Sequence, residues 1–272
     1  MATTIFLVNP REGAVSPPSY LLDTYSATAA YSLRQLKTGV TSVVRVRRSS
    51  DNREANFTPT EITDGTLTGF CGGGDGFVVT LYDQSGNGND ATRSSASNQP
   101  RLVSAGTLDT EPTNGLPAMW LDGDVTNHYL NFASTIAATQ ELYHTMVFTR
   151  TSGKFNGIIR DLGGNTSFYW YLSNTIYSGL GSGLVLHDSG QTQTGTQLVT
   201  ILRDSSSNVK YWLNNVAGTT KTHAFLPINF DRLFQTGGNF YGHCQEVILF
   251  NTDQESNRTA IESDINGHYS IY

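Results

Sequence analysis

Carboxylates, aromatic rings, imidazoles and thiols are the groups through which this chain could act on a ligand or hold one. Asp83 stands where an apolar run meets a Gly/Asn-rich string, YDQSGNGND, residues 82–90. An Asp in that position can accept the hydroxyls of a sugar or ligate calcium. Its commoner task is to cap a turn. Asp122 and Asp124 in LDGD lack the spacing of a calcium loop and read as a turn. GFCGGGDGF has glycines but no following Lys-Ser/Thr to meet phosphate and magnesium, so it reads as a flexible connection. His187-Asp188 and His243-Cys244 are isolated pairs with neither a third ligand at metal spacing nor a nucleophile turn to serve. Neither a metal nor a cofactor is expected.

Aromatic residues offer a different chemistry, because the apolar C–H face of a sugar stacks on Tyr and Trp while their polar edges hydrogen-bond. In SFYWYLS, strand alternation puts Phe168, Trp170 and Leu172 on one face and Tyr169 and Tyr171 on the other. One face is predicted to be core, and the other is a candidate platform with Asn165 as a polar contact. In VKYWLNN, Lys210 and Trp212 share the face opposite Val209, Tyr211 and Leu213. Ordinary packing is the competing reading of both strands, since sandwich strands are routinely rich in aromatics. The candidate ligand-binding set is therefore Tyr169, Tyr171, Asn165, Trp212 and Asp83, with no catalytic residue assigned.

The elements that must position these groups are mostly strands. FVVTLY, AMWLDGD, YLNF, HTMVFTR, LVTILR, VKYWLNN and EVILFN are short β-rich runs separated by Gly, Asn, Ser and Thr, a spacing that predicts an antiparallel sandwich or barrel. Asn214-Asn215 tolerates the positive φ of a tight hairpin, so the runs flanking it should pair. SATAAYSLRQL places Ala29, Ala30, Leu33 and Leu36 at helical spacing after Ser26, which predicts a short N-terminal helix. At the other end, T-x-x-E at Thr252–Glu255, Ile261 and Ile265 four apart, and Asn266-Gly267 predict a capped helix docked on the sandwich.

The 272 residues are 38% apolar and 15% charged, too apolar for disorder and too polar for a membrane protein. A net charge of -6 leaves no overall electrostatic footprint for nucleic acid or anionic lipid. Arg45, Arg47 and Arg48 form a small basic cluster that reads as a solvated strand face. Cys71 and Cys244 read as two buried thiols. Residues 1–20 contain three of the eight prolines and an apolar run limited to Ile5–Val8, too short for a signal-peptide core or a membrane span. They read as an arm, with 21–272 as one domain.

Several stretches also carry a resemblance. LLDTYSATAAYSLRQL, VVRVRRSSDN, FCGGGDGFVVTLYDQSGNGNDAT and NGLPAMWLDG resemble the β-sandwich catalytic domain of the arabinofuranosidase B type of α-L-arabinofuranosidase. They resemble uncharacterised bacteriophage and bacterial relatives more closely still. The C-terminal GGNFYGHCQEVILFNTDQESNRTAIESDINGHY is similar to the closing strand and helix of concanavalin A-like and laminin-G-like domains. The resemblance implies an all-β, antiparallel two-sheet jelly-roll sandwich of concanavalin A type, with a short N-terminal helix and a C-terminal helix.

Activity does not travel with fold in this way. A retaining glycosidase needs two carboxyl groups about 5 Å apart. Where the resembling enzymes place the acid after a Gly-Gly pair, this chain has Gly237-Gly238-Asn239, and where they place the nucleophile it has Ile158 or Ile159, with Asp161 out of register. Their adjacent cysteine pair is missing too. The resemblance thus implies a non-catalytic bacteriophage virion protein on the virion surface, assembled in the host cytoplasm. Its arm would meet other virion proteins, its copies would form a homo-oligomer, and its sandwich would touch cell-surface or environmental polysaccharide. Two alternatives stand beside it: an arabinofuranosidase-like hydrolase using Asp83, Asp161 or Glu246, and a purely structural decoration or fibre component.

Overall fold

The central strands of this chain are apolar on both faces, and that property dictates the layering. The computed structural model describes residues 19–123, 128–138, 140–150, 156–160, 166–171, 175–180, 184–188, 194–222, 228–234 and 240–272, with the backbone and the Ile159 side chain for the strands between 156 and 188. In chain order the elements are α1 (Leu21–Thr24), β1 (Ala29–Ser32), β2 (Val44–Arg48), β3 (Glu54–Phe57), α2 (Pro59–Thr63), α3 (Thr66–Cys71), β4 (Gly76–Leu81) and β5 (Ala91–Thr92). There follow β6 (Arg101–Ser104), β7 (Thr107–Leu108), β8 (Met119–Leu121), β9 (Leu130–Ala138), β10 (Leu142–Arg150), β11 (Asn156–Arg160), β12 (Thr166–Tyr171), β13 (Thr175–Leu180) and β14 (Leu184–Asp188). The last are β15 (Gln197–Arg203), β16 (Asn208–Leu213), β17 (Val216–Ala217), β18 (Lys221–Thr222), β19 (Ile228–Leu233), β20 (Gly242–Phe250) and α4 (Arg258–Tyr269).

The strands pair antiparallel in two layers. One runs β16–β15–β10–β20, and the far edge of β20 is shared, its C-terminal half by β1 and its N-terminal half by β8. The other runs β3–β2–β4–β5–β9–β19–β11–β12–β13–β14. Strand β6 pairs with both β4 and β8 and stitches the layers together. This is the sandwich that the strand spacing predicts.

Alternation assigns the two faces. From β10, Leu142, Met146 and Phe148 enter the core between the layers, where Val78, Leu130 and Phe230 meet them. Tyr143 and Val147 of the same strand point outward, into a second cluster with Ile261, Ile265 and Tyr269 of α4. The C-terminal helix thus docks on the sandwich as expected, because the outer face of this layer is itself apolar.

Three local expectations need correction. Ala29–Ser32 is a strand and not a helix: Ala29 and Tyr31 face the inter-layer core and Ala30 the outer cluster, so a strand buried on both faces mimics helical periodicity. The N-terminal helix is instead the single turn α1, held by the Asp23 carboxylate accepting from Tyr20 N at 3.0 Å. GFCGGGDGF is not a loose connection: it ends α3 at Gly72, φ 61°, and a side chain on Gly76 would meet Cys71 Sγ at 2.7 Å. Finally, α4 runs through Asn266-Gly267 to Tyr269, and the Asn266 carboxamide oxygen caps it by accepting from Ile271 N and Tyr272 N at 2.8 and 3.0 Å. In the 3-10 turn that leads into it, Glu255–Asn257, Asp253 and not Thr252 accepts from Glu255 N, at 2.7 Å.

Other readings hold. Asn214 and Asn215 have φ of 50° and 64° in the β16–β17 hairpin. Cys71 and Cys244 are free and buried, and burial pushes the Cys71 thiol up to about 11. Arg45 pairs with Glu54 and Arg48 with Asp51, both at 2.7 Å, so these arginines serve local ion pairs.

Candidate functional site

Asp83 is fully occupied by the loop it begins. Its Oδ1 accepts from Ala30 N and Ser85 N, each at 2.9 Å, and its Oδ2 from Ser85 Oγ at 2.8 Å and Asn89 N at 3.0 Å. The rest of YDQSGNGND acts likewise. Gln84 accepts from Leu36 N and donates to the Ser32 and Arg34 carbonyls, and Asn89 Oδ1 accepts from Ser134 N. This string ties β1 to the middle of β9, and its carboxylate accepts from four donors within the protein. The turn reading of Asp83 describes its surroundings.

Trp212 is 8% exposed. It lies in the outer cluster beneath α4, with the Arg258 guanidinium 4.8 Å from its ring centre, while Val209, Tyr211 and Leu213 enter the inter-layer core. Its facing is the one alternation predicts, but α4 covers it. Tyr169 and Tyr171 belong to the backbone of β12, five strands from β4 in its layer; their side chains and Asn165 lie outside the described residues, as do Gly237-Gly238-Asn239 and Asp161. Ile159 is fully buried in the core. The structure therefore brings Asp83 and Trp212 to separate packing roles, not to one site.

Two carboxylates do meet at Arg34. Its Nε and Nη2 donate to Glu246 at 2.8 and 3.1 Å, and Nη2 also reaches Asp264 Oδ1 at 2.8 Å. Ser32 Oγ and Tyr269 OH add bonds of 2.8 and 3.2 Å to Glu246 Oε2. A cavity of about 270 Å³ opens beside them, lined by Leu33, Arg34, Thr60, Leu116, His268 and Tyr269 among others, and neither carboxylate contributes to its wall. Glu246, 1% exposed and held by four donor contacts, clamps β1, β20 and α4 together.

A different group of side chains is both assembled and open. Arg101 of β6, Trp120 of β8, His243 of β20 and Thr149 of β10 form one cross-strand row. Their neighbours Leu102, Met119, Leu121, Cys244 and Phe148 fill the core, so alternation turns the row outward, beyond the reach of α4. Trp120 is partly exposed, its ring 4.7 Å from His243 and 5.3 Å from Tyr241, both partly exposed too. At its edge Arg101 makes a two-pronged pair with Asp109, at 2.8 and 3.1 Å.

The row is braced at its Thr149 end. Glu111, fully buried, accepts from the Thr149 and Thr196 hydroxyls and from Thr113 N and Asn114 N, both amides at 2.8 Å. Burial alone would push its carboxyl up, but these donors outweigh it and hold it below the usual range. Burial lowers His243 and His128, which leaves both imidazoles neutral at pH 7, each with one donor and one acceptor nitrogen. A flat indole flanked by Tyr, neutral His and a guanidinium–carboxylate fork can stack on a sugar face and exchange hydrogen bonds with its hydroxyls.

Sequence reasoning passed over this row although each part was visible. AMWLDGD and FYGHCQEV each alternate, and Trp120 and His243 fall opposite core residues in them. What sequence could not supply was the register that sets residues 120 and 243 side by side. Among the described residues no three His, Cys, Asp or Glu side chains are grouped to hold a metal ion.

No protein-family model matches the chain, and no curated protein matches it. Solved structures do. A GH54 α-L-arabinofuranosidase soaked with a cyclic sulfate inhibitor superposes with a TM-score of 0.65 at 13% identity over 89% of this chain. The likeness is one of fold. A variant GH54 enzyme soaked with 4-nitrophenyl α-L-arabinofuranoside gives 0.65 at 14% identity, and an arabinofuranosidase complexed with arabinofuranosyl-α-1,2-xylobiose gives 0.63 at 12%, each again over 89% of this chain. This chain matches 63% of the length of each of these enzymes, less than two thirds. The β-sandwich is thus shared with a group of glycoside hydrolases, and function must be argued from the chain's own side chains.

Proposed function

We propose that this chain is a glycan-binding β-sandwich whose sugar platform is the Trp120–Tyr241–His243 face. The observation that carries the reading is the partly exposed Trp120 ring, held between Tyr241 and His243 on an outward sheet face with the Arg101–Asp109 fork at its rim. The shared fold supports it, since one of the similar structures holds an arabinofuranosyl-xylobiose. A glycan array or arabinose-substituted xylan should retain the wild-type chain and release the Trp120→Ala variant. Equal retention of the two would remove Trp120 from the reading.

The place of display in this proposal is a bacteriophage virion, with residues 1–20 as the attachment arm and several copies acting together, so that weak single contacts suffice. That part rests on the sequence resemblance of YDQSGNGND and its companions to bacteriophage-encoded relatives. Quantitative proteomics of purified particles tests it: a fixed, stoichiometric copy number is expected, and absence from particles would sink it. The shared fold also favours a second reading, hydrolysis. Turnover of 4-nitrophenyl α-L-arabinofuranoside that is lost in Glu246→Gln would establish a hydrolase using Glu246, a residue here buried in a clamp.

A further inference from the structure

We propose that the Trp120 platform selects uncharged glycans and excludes acidic ones, an inference that rests on the reading of this face as the sugar site. The motive is its charge arrangement. Arg101 is bound two-pronged by Asp109, and Asp75 and Asp122 also act on it electrostatically. His243 is acted on by Asp109 and Glu111 as well as by Arg101, and Glu111 is bonded by Thr149, the neighbour of His243 in the row. Among the described residues acting on the row, one guanidinium is thus outweighed by four carboxylates, and an incoming uronate finds a cation whose Nε and Nη2 already serve an anion.

Among the described residues, other cations do not redress the balance. Arg150 stands opposite Gly242 at the end of the row, where alternation from the outward Thr149 turns it to the opposite face. Arg93 and Arg232 lie 3.8 and 5.0 Å from the Tyr129 ring. A neutral sugar meets no such conflict: its hydroxyls can donate to Asp109 or Asp122 and accept from Arg101, and its ring still covers the indole. Like-charge juxtaposition at a recognition face is a means of rejecting wrong partners.

Affinity gel electrophoresis of the full chain at pH 7 and low salt, with arabinoxylan as the neutral polymer and polygalacturonate as the acidic one, tests this directly. Wild type should be retarded by arabinoxylan and run freely through polygalacturonate. The Asp109→Asn/Asp122→Asn double variant should shift the acidic-to-neutral preference by on the order of tenfold. Asp122→Asn alone, which leaves the Arg101–Asp109 fork intact, should shift it in the same direction by less. Raising salt should reduce the wild type's discrimination, because the repulsion is screened. Retardation of wild type by polygalacturonate as strong as by arabinoxylan would overturn the selectivity while leaving the platform standing. Retardation by neither polymer would overturn the platform reading and the selectivity with it.

Discussion

A carboxylate in a folded chain can work on a ligand or on its own backbone, and its donors show which. Asp83 accepts four hydrogen bonds from within the protein, one from the amide of Ala30 in β1 and three from Ser85 and Asn89 of its own loop. Replacing it with Ala strands those donors. Asp83→Ala is expected to cost about 2–4 kcal/mol in urea unfolding, since each part-buried unsatisfied donor costs about 1–3 kcal/mol. A loss below about 0.5 kcal/mol would return Asp83 to the list of ligand contacts.

Glu111 makes the same point with a pH signature. Its carboxyl lies below its ordinary value of 4.5 in the folded chain, so its contribution is fully present above that value and is lost as pH falls through the folded-state value. Glu111→Gln should therefore unfold more easily than wild type at pH 7, with the two melting curves converging in acid. A melting-temperature gap that stays constant from pH 7 down to pH 3 would contradict this.

At the scale of elements, α4 is fastened by apolar contacts and carries a carboxylate shifted in the opposite direction to Glu111. Glu262 is buried beside Arg258; burial raises it, and Thr200 and Arg258 only partly offset this. A raised acid contributes most below its unfolded value, near 4.5, and loses that contribution as pH rises through the folded value. Glu262→Gln should thus melt at or above the wild-type temperature at pH 7, and any advantage should shrink in acid, as thermal melts across pH would show. A marked loss at neutral pH would mean that the ionised Arg258–Glu262 pair is what fastens the helix.

The elements also show why sequence was readable in some places and not in others. The Asn214-Asn215 hairpin was legible because positive φ is a local demand that few residues meet. Strand β1 was not, because Ala29, Ala30 and Tyr31 are buried on both faces and leave no polar beat at period two. The α2 start, where Thr58 and Glu61 bond each other's backbone, used a capping pattern present in the sequence but hidden in a polar stretch.

For the molecule as a whole, the fold was legible and the site was not, for one physical reason. Packing periodicity is written along the chain, whereas the Trp120–His243 pair arises from strands more than a hundred residues apart that meet only through the register of β8 and β20. YDQSGNGND, one of the strings that carry the resemblance, serves the architecture, since its polar groups are spent on joining β1 to β9. A chain can keep it with or without an activity.

Calorimetric titration of arabinoxylan fragments into wild type, Trp120→Ala and Trp212→Ala is the most direct measurement of where a glycan is held. Loss of the stacking ring in Trp120→Ala should raise Kd about tenfold or more without lowering the melting temperature. Trp212→Ala should lower the melting temperature by loosening α4 and leave Kd of the folded protein unchanged. If Trp120→Ala binds as tightly as wild type while Trp212→Ala does not bind, the platform is not on the β6–β8–β20 face.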